Sequence, residues 1–79
     1  LANENRLLIL CALMSGSMAV SEIAKYIPSI TQSALSQHLS ILKSHGILDN
    51  RKSGQNSYYF ISDHRVEEVI QVLKQHYCP

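Results

Sequence analysis

The stretch "TQSALSQHLSILKSHG", residues 31–46, decides the fold. Leu35, Leu39 and Leu42 recur at helical spacing and form a single apolar stripe. At about 100° per residue, Ser33, Gln37, Ser40 and Ser44 fall opposite that stripe, with Ser36 and Lys43 on its flank. Thr31 suits the N-cap, where a side-chain oxygen accepts from backbone N–H groups that have no partner inside the helix. Ser29 with Gln32 also fits a capping box, so the start can lie at either. Gly46 is placed to close the helix, because a residue without Cβ enters the left-handed region at no steric cost. The polar face holds no acid. No Asp or Glu occurs anywhere from Ile23 to Leu48.

Working outward, Val20, Ile23, Ala24 and Ile27 fall at i, i+3, i+4 and i+7 and predict a short amphipathic helix just upstream. Pro28 ends it, since proline disfavours helical geometry in the residue before it. Asn5 to Met14 reads as a further helix, apolar nearly all round and therefore central, closed by Ser15-Gly16-Ser17. Downstream, Ile47 to Lys52 and Ser57 to Ile61 are strand-like runs on either side of the polar turn Ser53-Gly54-Gln55-Asn56, which predicts a β-hairpin. Tyr59 and Ile61 share one strand face and are expected in the core, leaving Tyr58 on the other. Asp63 suits the N-cap of a last helix whose apolar stripe is Val66, Val69, Ile70, Leu73 and Tyr77. The order helix, helix, helix, hairpin, helix is mainly α with a β-hairpin, the arrangement of a winged helix-turn-helix.

Composition limits the classes of function. Seventy-nine residues suit a single domain, and at that size only about 60% of the unfolded surface is buried, so dimerisation is a natural source of stability. An apolar content of 46% predicts a packed globule rather than a disordered chain. The longest apolar run, Leu7 to Met14, is far short of the roughly 20 residues that span a bilayer, and no signal peptide pattern is present. Cys11 and Cys78 do not make the dense framework of a secreted scaffold. A reducing cytoplasm is the expected compartment. The chain opens on Leu1 rather than Met, so a preceding segment is expected to be missing.

The net charge of +1 decides little, but its distribution is uneven. Lys25, Lys43, Arg51 and Lys52 face only Asp49 across the middle of the chain, while the flanks carry Glu4, Glu22, Asp63, Glu67 and Glu68. The middle therefore tolerates a polyanion better than the ends. A carboxylate on the residue 31–46 helix would be repelled by phosphates, whereas short hydroxyls permit close approach and a glutamine amide can pair bidentately with adenine. Serine is a poor helix former, so helix stability does not explain the choice. Thr31, Gln32, Ser33, Ser36, Gln37, Ser40 and Lys43 are the expected DNA-contacting residues of this helix, with its free first-turn N–H groups aimed at the anion. Arg51, Lys52, Gln55 and Asn56 on the hairpin are expected to reach flanking phosphates or the minor groove, and Tyr58 can offer its hydroxyl to a phosphate. The bland alternatives are a solvated helix face and an edge hairpin protected by charge. A winged-helix module that binds protein is the competing function. An enzyme is not expected: Cys78 with His76 is the one sequence-local nucleophile and base, at a helix end with no oxyanion device.

"LANENRLLIL", "SQHLSILKSHGIL" and "GQNSYYFIS" together resemble the ArsR family of small dimeric winged-helix repressors, over essentially the whole chain. The resemblance implies a symmetric homodimer, formed through the last helix and an N-terminal helix that would precede Leu1, bound to a double-stranded operator palindrome. Many such repressors sense metal, and a metal-responsive repressor is the alternative within the family. One family site is a cysteine pair in the helix that here reads Val20 to Lys25, where there is no cysteine. Another, laid on this chain, gives Asp63, Arg65, His76 and Pro79, and neither arginine nor proline ligates zinc. No metal and no cofactor are therefore expected. Taken alone, Cys11 reads equally well as a small buried hydrophobe and Cys78 as an inert terminal residue. A sulfide- and persulfide-responsive branch of the family carries one cysteine after an "NExR" motif and one after a tyrosine near the end of the last helix. Cys11 follows "NENRLLIL" and Cys78 follows Tyr77. The resemblance thus implies redox sensing by this pair, with reactive sulfur species as inducer and a disulfide or longer sulfur bridge as product.

Overall fold

A computed structural model describes residues 4–78. Its elements run α1 (Glu4–Leu13), β1 (Met18–Ala19), α2 (Val20–Tyr26), α3 (Gln32–Ser44), β2 (Leu48–Ser53), β3 (Asn56–Ile61) and α4 (His64–Tyr77). The core draws on nearly every element: Ile9, Leu10 and Leu13 of α1, Ile23 and Ile27 in and after α2, Leu35, Leu39 and Leu42 of α3, Leu48 of β2 and Ile70 of α4. Among the described residues no polar or charged residue is buried in it, although the amide oxygen of half-buried Asn50 is out of solvent with no hydrogen-bond partner.

Local chemistry sets the ends of α3. The Thr31 hydroxyl accepts from the Ala34 backbone N–H at 3.1 Å, so Thr31, not Ser29, begins the helix. Such a cap contributes about 1 kcal/mol. At the other end Gly46 takes φ +75°, as its place after the last periodic residue requires. The α2 helix stops at Tyr26, and Ile27, held before Pro28, lies outside helical geometry at φ −133° and ψ 70°. Its start was not visible as a cap, because Ala19 has no side-chain oxygen. The Glu22 carboxylate instead accepts from the Ala19 N–H at 2.9 Å, half of a capping box.

The hairpin is tighter than the sequence suggests. Ser53 pairs with Asn56 across a two-residue turn of Gly54 and Gln55, with Gly54 at φ +64°. Glycine first is the pattern of a type II′ hairpin turn. Asn56 is therefore the first residue of β3 rather than part of the tip, which corrects its expected place. The sheet also has a third strand. Met18 and Ala19 pair with Tyr59 and Tyr58, giving the order β1-β3-β2.

The α4 helix departs from its expected burial. Asp63 caps it, accepting from the Arg65 N–H at 2.9 Å. Ile70 is buried and Val66 and Leu73 partly so, but Val69 is 50% exposed and Tyr77 is 59% exposed, with Val72 beside them at 77%. The stripe was read correctly as apolar, but only one edge of it packs inside the subunit.

Candidate functional site

The α2 and α3 helices are joined by the short segment around Pro28, and α3 carries its leucines inward and its polar face to solvent. Thr31, Gln32, Ser33, Ser36, Gln37, Ser40 and Lys43 are all exposed. Among the described residues, the side chains of Ser33, Ser36, Gln37, Ser40 and Lys43 make no hydrogen bond or ion pair, so their donors and acceptors remain available. Ser44 differs: its hydroxyl donates back to the Ile41 carbonyl at 2.8 Å. The Thr31 oxygen is occupied as the cap acceptor, while its hydroxyl hydrogen is still free to donate.

The hairpin follows α3, and β2 packs against that helix. Arg51, Lys52, Gln55 and Asn56 are exposed. Alternation along the strands puts Arg51, Ser53, Tyr58 and Phe60 on the outer sheet face and Leu48, Tyr59 and Ile61 on the core face. The Arg51 guanidinium lies 5.8 Å from the Phe60 ring centroid, a cation–π contact that turns Arg51 back from the tip. With Ser17, Ser53 and Tyr58 these two residues line a shallow cleft of about 420 Å³. Sequence reasoning gave no part to Phe60 or Ser17, since the cleft depends on the short strand β1 bringing Ser17 beside β3.

No carboxylate among the described residues neutralises the cations of α3 and the hairpin. The ion pair among the described residues lies elsewhere, between Arg65 and Asp63 at 3.1 Å. Hydrogen bonds from the Arg65 side chain and backbone hold the Asp63 carboxyl below its ordinary range, and the Asp63 carboxylate raises Arg65 in turn. Lys43, Arg51 and Lys52 have no such partner among the described residues.

Cys11 of α1 and Cys78, just past the end of α4, are joined in a disulfide with their Cα atoms 5.4 Å apart. The separation of these residues in sequence had left open whether they meet. They do, because α1 and α4 pack together. Both cysteines are partly covered. The exposed Val69, Val72 and Tyr77 lie on the helix that the bridge anchors.

Of the histidines, His38 is half-buried at the margin of the leucine stripe, where its Nδ1 accepts from Arg6 Nε at 3.4 Å. Among the described residues no three His, Cys, Asp or Glu side chains gather as a metal site would need. No helix among them is long and apolar enough to cross a membrane.

A short helix pair with its second member exposed and acid-free, followed by a basic hairpin, defines a winged helix-turn-helix DNA-binding protein. Comparison with known proteins agrees. The family model for bacterial regulatory proteins of the arsR family matches residues 3–50. The transcriptional activator HlyU of Vibrio cholerae is 40% identical over 78 residues, spanning 99% of this chain and 71% of HlyU. The structure of reduced HlyU from that organism superimposes with a TM-score of 0.89, covering 99% of this chain and 81% of that one. The transcriptional repressor BigR from Xylella fastidiosa gives 0.87 at 27% identity, covering 99% and 79%. The homodimeric winged helix-turn-helix DNA-binding domain of Mb0332 from Mycobacterium bovis gives 0.80 at 32% identity, covering 94% and 68%. The chain belongs to the arsR family of bacterial regulatory proteins. It is a DNA-binding transcriptional regulator, and its relatives are regulators rather than enzymes.

Proposed function

We propose that this chain is a homodimeric transcriptional repressor that leaves its operator when Cys11 and Cys78 become bridged by reactive sulfur species. The observation that carries the reading is the joining of these two cysteines across α1 and α4, on a subunit whose α3 offers DNA a face without carboxylates. In the DNA complex α3 lies in the major groove. Gln37 and the serines meet base edges and phosphates, with Thr31, Gln32 and Lys43 on the backbone. Lys52, Gln55 and Asn56 of the wing, with Arg51 at its base, meet flanking phosphates. Val69, Val72 and Tyr77 of α4 form the dimer surface. Support for the dimer and for the sign of regulation comes from Mb0332, a homodimeric DNA-binding domain, and from BigR, a repressor.

The sulfur chemistry balances with an organic persulfide as oxidant. The Cys11 thiolate attacks the sulfane sulfur, expels the thiol and becomes a persulfide. The Cys78 thiolate then attacks the inner sulfur of Cys11 and expels hydrosulfide, leaving the disulfide. If the Cys11 persulfide first takes the sulfane sulfur of a second organic persulfide, expelling its thiol, Cys78 attack on the middle sulfur expels hydrosulfide and leaves a trisulfide bridge. The bridge fixes the end of α4 against α1, and because α4 carries the dimer surface it resets the spacing of the two α3 helices.

Duplex binding measured before and after persulfide treatment tests the sensing step. The reduced wild type is expected to lose affinity on treatment and Cys11→Ser to keep it. Equal loss in both would refute the role of the cysteines. The docking surface has a separate measure. Lys43→Ala is expected to lower the slope of log affinity against log salt by about one unit per neutralised phosphate, and an unchanged slope would leave Lys43 off the DNA.

A further inference from the structure

Outside the proposed DNA surface and the cysteine bridge, and beyond the shared apolar core, a side-chain hydrogen bond among the described residues links the elements that carry them. Arg6 lies on α1 with Cys11, and its Nε donates to Nδ1 of His38 on α3 at 3.4 Å. Neither residue has a part in the proposed contacts or in the sulfur chemistry. Arg6 precedes Cys11 by five positions, so the two lie about 7.5 Å apart along the helix axis and about 140° apart around it. One side of α1 therefore holds the bridge to α4, and another holds His38.

We propose that the Arg6–His38 hydrogen bond is the positioning contact through which the state of the Cys11–Cys78 pair reaches α3. The inference rests on the sensing function proposed above. The α1 helix is a continuous run from Glu4 to Leu13 whose Ile9, Leu10 and Leu13 are locked in the core, so it moves as a rod rather than bending locally. A displacement of α1 imposed at Cys11 is thus also felt at Arg6. Arginine is suited to pass it on: its planar guanidinium donates in a fixed direction, and the acceptor is an aromatic nitrogen with one lone pair in the ring plane. His38 lies within α3 beside Gln37, so a shift or rotation at His38 re-aims the residue placed to read a base. The bond also fixes the imidazole as the tautomer protonated on Nε2, because a nitrogen that accepts carries no proton.

The test uses the full chain and a duplex recovered from a randomised library by the thiol-reduced protein. Affinity is measured in the reduced and bridged states at one salt concentration. Wild type is expected to bind at least about tenfold more tightly when reduced, within the range common for coupled sites. Arg6→Met and His38→Leu each break the contact, and each is expected to keep reduced-state affinity within threefold while the ratio between states collapses to below threefold. His38→Gln retains an acceptor and is expected to restore the ratio, which a merely structural loss of packing would not allow. In the bridged wild type, the state in which the contact is seen, the nitrogen-15 signal of His38 Nδ1 is expected at the position of an unprotonated ring nitrogen and to shift on reduction of the Cys11–Cys78 pair. This readout needs no variant and so stands even if a substitution impairs folding. A wild-type ratio retained by Arg6→Met and His38→Leu, or a protonated Nδ1 in the bridged wild type, overturns the coupling contact and leaves the sensing function intact. A wild-type ratio of unity overturns both.

Discussion

Gln37→Glu is expected to reduce operator affinity at least about a hundredfold while leaving the fold unchanged. Gln37 lies exposed on α3, opposite the buried Leu35, Leu39 and Leu42. Its amide offers both a donor and an acceptor in one plane, the pair needed for the major-groove edge of adenine, and such a bidentate contact discriminates by about 1–3 kcal/mol. Glutamate keeps the shape and removes the donor. It also sets a negative charge against phosphates, on a surface where no carboxylate occurs from Ile23 to Leu48. The proposed dimer presents two such helices, so the loss is counted twice and reaches about 2–6 kcal/mol. A hundredfold is about 2.7 kcal/mol and lies inside that range. The substitution is clean as a probe, because Gln and Glu have nearly equal helix propensity and exposed changes of this kind usually move stability by less than about 0.5 kcal/mol. The measurement is a fluorescence anisotropy titration of wild type and variant at one fixed salt concentration, with thermal melts alongside. Affinity within threefold of wild type, with the melt unchanged, would show that α3 is only a solvated face.

What the sequence disclosed, and what it did not, divides along the range of the interactions. The Thr31 cap, the Gly46 closure, the Pro28 stop and the Asp63 cap are set by groups a few residues apart, and each is observed. The acid-free face of α3 was likewise readable, because a helix fixes which side chains share a face. Strand β1 was not, since Met18 and Ala19 carry no alternation and are held by pairing with Tyr59 and Tyr58, far along the chain. For the same reason the sequence placed Arg51 on the wing but could not show it turned onto Phe60. In α4 the spacing identified the apolar stripe correctly, yet periodicity cannot say whether the neighbour that covers a valine belongs to the same subunit. Val69 and Tyr77 stay exposed here, and Val72, off the expected stripe, extends the same surface. Arg6 belonged to the quoted "NENR" segment without a role, and only the tertiary fold brings it to His38. The cysteine pairing rested on resemblance alone until α1 and α4 were seen to bring the two thiols together.

The bridged chain is expected to resist urea more strongly than the double variant Cys11→Ser/Cys78→Ser, by about 2–4 kcal/mol of unfolding free energy. The bridge closes a loop with a sequence separation of 67. For a loop of that length the chain-entropy account gives roughly 4 kcal/mol at 25 °C, which acts by restricting the unfolded ensemble. A domain of this size has a total stability of only about 4–12 kcal/mol, so the bridge is comparable with everything else that holds the subunit together. With a urea slope near 1 kcal/mol/M, the midpoint is expected to rise by about 2–4 M. Equilibrium unfolding followed by circular dichroism measures this, with subunit concentration held equal because association also stabilises the folded state. The thiol-reduced wild type serves as a second comparison free of substitutions. Equal midpoints for all three forms would contradict the expectation. A gain below the entropic figure reflects strain in the bridged native state, residual structure in the unfolded chain, or both. Release from DNA depends on a different quantity: bridging must be less favourable in the DNA-bound conformation than in the free one, by about 1–3 kcal/mol for a typical coupling. The urea midpoint therefore measures how strongly the bridge staples α4 to α1, and the duplex titration in the two states measures what reaches α3.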